Sequence, residues 1–157
     1  MSVKRFSQGF LRALSVLALS SAGSLLRAQG AARTVEIAGN DSMKYSVTTF
    51  QAAPGEPLTV KLTSRGTMPK IAMAHNFVLL KPGTDAESFA KAALSARATN
   101  YIPLDSRQKV IAATALAGNG QTVDVTFRAP ADRGTYTYIC TFPGHALAGM
   151  KGTLVVR

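Results

Sequence analysis

Almost every apolar run between residues 33 and 157 is short, and the clearest ones alternate. Leu58-Thr59-Val60-Lys61-Leu62-Thr63 and Thr122-Val123-Asp124-Val125-Thr126-Phe127 place an apolar side chain at every second position. That is the period of a strand with one buried face. Thr34-Val35-Glu36-Ile37, Tyr45-Ser46-Val47, Thr49-Phe50, the run 76–80, Val110-Ile111-Ala112, Thr135-Tyr136-Thr137-Tyr138-Ile139 and Gly152-Thr153-Leu154-Val155-Val156 read the same way. Pro and Gly punctuate the gaps, as in Pro54-Gly55-Glu56-Pro57 and Lys81-Pro82-Gly83. Many short strands separated by turn signals predict an all-β chain, a sandwich or a barrel.

One segment departs from that period. Residues 85–98 are rich in Ala and carry Lys91, Leu94 and Arg97, all good helix formers. Thr84 with Glu87 matches a capping box, and Ala86, Phe89, Ala90 and Ala93 fall on one helical face. This predicts one helix around 85–98, inserted between strands and packed outside the sheets, with Pro103 soon after its end.

Residues 1–30 read as a cleaved signal peptide. Lys4, Arg5 and Arg12 precede an uncharged run over 13–26, and Ala28-Gln29-Gly30 offers small residues for cleavage. The run is short for a bilayer span, so no stable membrane insertion is expected. Residues 31–157 then have the length of one compact domain. Four of the eighteen Lys and Arg residues and none of the eight acidic ones precede Arg33, which leaves this domain near +6. Such a balance favours acidic partners. The charges are scattered and form no basic run, so nucleic acid is not expected as a ligand.

Export normally invites disulfides, yet the chain has one cysteine and cannot form an internal one. A lone exported cysteine is a reactive thiol, an inert buried thiol, half of an intermolecular bridge, or a metal ligand. Its neighbours decide. Cys140-Thr141-Phe142-Pro143-Gly144-His145-Ala146-Leu147-Ala148-Gly149-Met150 holds a thiol, an imidazole and a thioether in one turning loop. The other of the chain's two histidines, His75, sits where the irregular stretch 66–74 becomes a strand. Two imidazoles, a thiolate and a weak axial thioether are what a trigonal copper site requires. The chain supplies that set once, as His75, Cys140, His145 and Met150, and so predicts one type 1 copper ion.

At these residues the chain resembles the cupredoxins, the blue copper proteins, and among them azurins and auracyanins most. Gly39-Asn40-Asp41-Ser42-Met43, the stretch 68–78 with its Met73-Ala74-His75-Asn76 core, and 140–154 carry the likeness. The resemblance implies a Greek-key β-sandwich of the cupredoxin kind. It implies that His75, Cys140 and His145 lie in a plane with Met150 as a long axial ligand. Asn76 would tie the two ligand loops together, the Phe142 amide would donate to the sulfur, and the Ala74 carbonyl would be a weak second axial contact. It also places the His145 ring edge at the surface, within an apolar docking patch of Met43, Met68, Ala72, Met73, Pro143 and Leu147. Azurins carry Gly at the Ala74 position, one residue fewer between His and Met, and a disulfide absent here.

The expected function is that of an exported, periplasmic electron carrier, not an enzyme. Its partners would be redox proteins such as a c-type cytochrome or an oxidoreductase. Competing readings are a copper chaperone or store, a cysteine-nucleophile hydrolase with Asn76 as orienter, and a zinc site. The hydrolase leaves Met150 unexplained, and zinc is poorly matched to a thioether.

Overall fold

Strand β4, Pro57–Arg65, shows how the sequence pattern becomes structure: Leu58, Val60, Leu62 and Ser64 are buried and the intervening side chains are not. In the computed structural model, which describes residues 31–157, the strands β1 (Arg33–Asn40), β2 (Lys44–Tyr45), β4 and β7 (Thr122–Arg128) form one sheet in the order β2-β1-β4-β7. The second sheet runs β3-β9-β8-β5-β6. Its members are β3 (Thr49–Ala52), β9 (Lys151–Val156), β8 (Gly134–Ile139), β5 (Val78–Leu80) and β6 (Val110–Ala113). Strands β1 and β4 pair in parallel, as do β3 and β9, and the remaining ladders are antiparallel. The result is the expected Greek-key sandwich, its core built from the inward residues of both sheets. The leader read at 1–30 lies outside the described residues.

The inserted helix α1 is shorter than the sequence predicts and is capped one residue later. It spans Ala86–Ala93, and Asp85, not Thr84, is the N-cap, its side chain accepting from Ser88 N at 2.7 Å. An aspartate beats a threonine here because its carboxylate also faces the positive helix end. Beyond Leu94 the chain tightens into a 3-10 turn at Arg97–Thr99. Phe89, Ala90 and Ala93 form the buried face. Phe89 and Ala90 cluster with Val78, Leu80 and Ile139 on the outer face of the second sheet. Strand β5 is thus buried on both faces, Leu79 to the core and its neighbours under the helix, which is why it reads as a continuous apolar run. Among the described residues no helix is long and apolar enough to cross a membrane.

Candidate metal centre

Four connections converge at one end of the sandwich: β1–β2, β4–β5, β6–β7 and β8–β9. Strand β8 delivers Cys140, the residue after its last, and β9 begins straight after Met150. The loop between them is a chain of tight turns, with His145 N bonded to Phe142 O, Ala148 N to Gly144 O, Met150 N to His145 O and Cys140 N to Met150 O. Gly144 and Gly149 adopt φ of 84° and 92°, a region a side chain resists. His75 comes from the other side. Its backbone exchanges two hydrogen bonds with Ala117, at 2.9 and 2.8 Å, which fix the β4–β5 loop to the β6–β7 loop.

These loops bring together the residues the sequence singled out. One ligand atom each from His75, Cys140 and His145 lies within 4.8 Å of the others, and all three side chains are buried. The Cys140 sulfur stands 3.4 Å from His145 Nδ1. Met150 is fully buried beside them. A Cβ placed on Gly39 would come 2.8 Å from the His75 ring and 2.9 Å from Met150 Cε. The Ala74 carbonyl oxygen lies 4.0 Å from the sulfur.

The electrostatics are those of a metal pocket. Both ring nitrogens of His75 are buried with no hydrogen-bond partner, and no other buried side-chain nitrogen or oxygen among the described residues is so placed. Orphaned polar atoms are costly unless something else satisfies them. Burial lowers the His75 pKa, and burial with the neighbouring His75 lowers that of His145 to about 4. Both rings are therefore neutral at physiological pH, with nitrogen lone pairs free to coordinate. Burial pushes the Cys140 thiol up to about 11, against the backbone N–H groups of Asn76 and Phe142, which favour the thiolate. A cation in the cluster would reverse that balance. Two neutral imidazoles, one ionisable thiol and a thioether are a donor set that fits copper.

Asn76 joins the two ligand loops. Its Oδ1 accepts from Thr141 N and its Nδ2 donates to Thr141 Oγ1, both at 2.8 Å. The patch residues differ in exposure. Met68 (41 % exposed), Leu147 (48 %) and Ala72 are open to solvent, whereas Met43, Met73 and Pro143 are half-buried. His145 is only 2 % exposed, because its ring packs between those of His75 and Phe142 at 5.0 and 4.9 Å. Its edge sits further in than the resemblance implied.

Three contributors were not identified from sequence. Gly39 occupies an inward strand position where the alternation calls for a side chain, and that mismatch was the available signal. The buried Tyr45 donates its hydroxyl proton to the Asn76 carbonyl and lies in reach of the Cys140 sulfur. Thr141 stood inside the recognised loop, but nothing local marks its partner.

A two-sheet sandwich closing over a buried His-Cys-His cluster at one pole defines a small mononuclear copper protein. The chain belongs to the plastocyanin/azurin family of copper binding proteins, whose model matches residues 31–157. Auracyanin-A of Chloroflexus aurantiacus is 39% identical over 127 residues, covering 79% of this chain and 74% of that one. Azurin of Pseudomonas aeruginosa is 36% identical over 151 residues, covering 94% and 97%. The crystal structure of dithionite-reduced auracyanin from Roseiflexus castenholzii superposes with a TM-score of 0.71 at 36% identity, over 82% of this chain and 99% of that chain.

Proposed function

We propose that this protein is an exported carrier of single electrons, and that His75, Cys140, His145 and Met150 hold its copper. The observation that carries the reading is the buried triad within 4.8 Å whose His75 nitrogens have no other partner. Bound copper supplies a one-electron Cu(I)/Cu(II) couple. The chain's part is to keep the donors still. Cys140 and Met150 are anchored by adjacent strands, His75 by its double bond to Ala117, and both loops by Asn76. A pocket fixed in this way moves little when charge changes, which keeps electron exchange fast. The backbone N–H groups of Asn76 and Phe142 act on the sulfur by hydrogen bonding, Tyr45 lies in reach of it, and the Ala74 carbonyl faces it.

The leader-like composition of 1–30 supports export to the periplasm, and redox proteins such as a c-type cytochrome or an oxidoreductase fit as partners. Docking would use the exposed apolar residues near the loop, Met68, Ala72 and Leu147, flanked by Met43, Met73 and Pro143. The test is to add Cu(II) to residues 31–157 and record the visible spectrum and a voltammogram. An intense blue colour with a reversible couple is expected. A colourless protein would return the site to zinc or thiol chemistry, and a coloured protein without a reversible couple would favour copper storage.

A further inference from the structure

We propose that the groove lined by Lys70, Ile71, Arg97, Tyr101, Leu116 and Phe142 docks a redox protein that presents carboxylates around an apolar centre. This rests on the electron-carrier reading above and adds to the Leu147 patch a second face, for a partner of acidic chemistry. The groove has a volume of about 400 Å³ and borders the metal centre. Phe142, two residues after Cys140, forms part of its wall. The Phe142 ring lies 4.9 Å from that of His145 and meets the edge of Tyr101 at 5.3 Å. An aromatic series His145–Phe142–Tyr101 therefore leads from the buried site to this groove.

Its surface is amphiphilic. Ile71 is 76 % exposed, the most exposed large hydrophobic residue among those described. Lys70 and Arg97 line the groove, no acidic residue does, and neither cation forms an ion pair among the described residues. Lys70 is held in place, with Nζ 3.0 Å from Gln121 Oε1 and its stem lying over Gly118, where an added Cβ would come within 2.5 Å.

The far wall is held at a cost. Asn100 and Tyr101 are consecutive non-glycine residues at φ 54° and 59°, a region that the bulky Tyr101 in particular resists. Such strain persists only where its surroundings enforce it. Here Tyr101 N bonds to Ala96 O at 2.8 Å, and Asn76 Nδ2 reaches Asn100 O at 3.3 Å. The residue that ties the ligand loops thus also positions the groove wall. Two cations, one of them held by Gln121, beside an exposed aliphatic side chain suit a brief, electrostatically steered contact with an acidic face.

The test uses copper-loaded protein with cytochrome c in two forms, native (lysine-rich) and succinylated (carboxylate-rich). Exchange with the succinylated form should slow as salt is raised, and Lys70→Glu or Arg97→Glu should slow it about tenfold at low salt. Arg157→Glu makes the same change in net charge at the far end of β9 and should leave it within about twofold. Amide shift changes in the reduced protein should centre on residues 70, 71, 97 and 101. Equal slowing by Arg157→Glu, unchanged rates in the groove variants, or shifts centred on Leu147 would each overturn the docking site alone. Failure to exchange electrons even with hexacyanoferrate(III) would overturn the carrier reading, and the docking site with it.

Discussion

Asn76 and Thr141, separated by 65 positions in the chain, are clamped to each other by two buried hydrogen bonds of 2.8 Å. One of them satisfies a backbone N–H that has no ladder partner, so the clamp is both a structural and a positioning device. Replacing Asn76 by Leu leaves the Thr141 amide buried and unpaired, at a cost of about 1–3 kcal/mol. The expected outcome is a lower urea midpoint together with faster copper loss to a chelator. Asn76→Asp, which keeps the acceptor for Thr141 N, should recover part of the loss.

Gly39 forms the floor beneath His75 and Met150. Gly39→Ala would bring a methyl group within 2.8 Å of the imidazole and 2.9 Å of Met150 Cε, so that one of the two side chains must shift. Overpacking of this kind costs about 1–3 kcal/mol. The alanine variant should fold with reduced thermal stability and show an altered visible spectrum once loaded with copper. An unchanged spectrum would mean that the two side chains had room to withdraw.

The metal-free protein should lose stability as the pH falls through the range between the ordinary histidine value of 6.5 and about 4. In that window the unfolded chain takes up a proton at His145 that the folded chain refuses. Stability therefore rises with pH there, by up to about 1.4 kcal/mol per unit for each such group. His75 is shifted in the same direction by burial and adds to the slope. Urea denaturation of metal-free protein at several pH values checks the sign, and a flat profile would mean that the rings are solvated.

Tyr45 offers a separate handle on the thiol. Its hydroxyl donates its one proton to the Asn76 carbonyl and lies in reach of the Cys140 sulfur, to which it would turn when the thiol ionises. Tyr45→Phe should cost about 1 kcal/mol for the lost buried hydrogen bond. In the metal-free protein the Cys140 thiol should then titrate above its already raised value of about 11, as read by ultraviolet thiolate absorbance.

The strands were readable because each has its own period and its own turn residues, and the donor set because the chain carries no spare His or Cys to confuse it. What the sequence withheld was mostly relational. The parallel pairings β1–β4 and β3–β9 depend on which strands meet, and no local pattern encodes that. The α1 boundary moved because Asp85 competes with Thr84 for the same capping role and Leu94 is followed by a tighter turn. Tyr45 read as an ordinary strand aromatic, since its hydroxyl finds Asn76 only after the sheets close. The depth of His145 is set by the rings of Phe142 and His75 tilted against it, which spacing alone does not reveal.

Strand β9 is the last of the described strands in chain order, yet it lies inside its sheet, paired with β3 on one side and β8 on the other. Until β9 emerges, β3 lacks the strand it pairs with and Met150 lacks the strand that follows it. Such long-range pairing is slow to form. The polypeptide therefore cannot assemble its copper pocket progressively during translation. A cut within β9 therefore strips β3 of its partner and breaks into the sheet instead of trimming its edge.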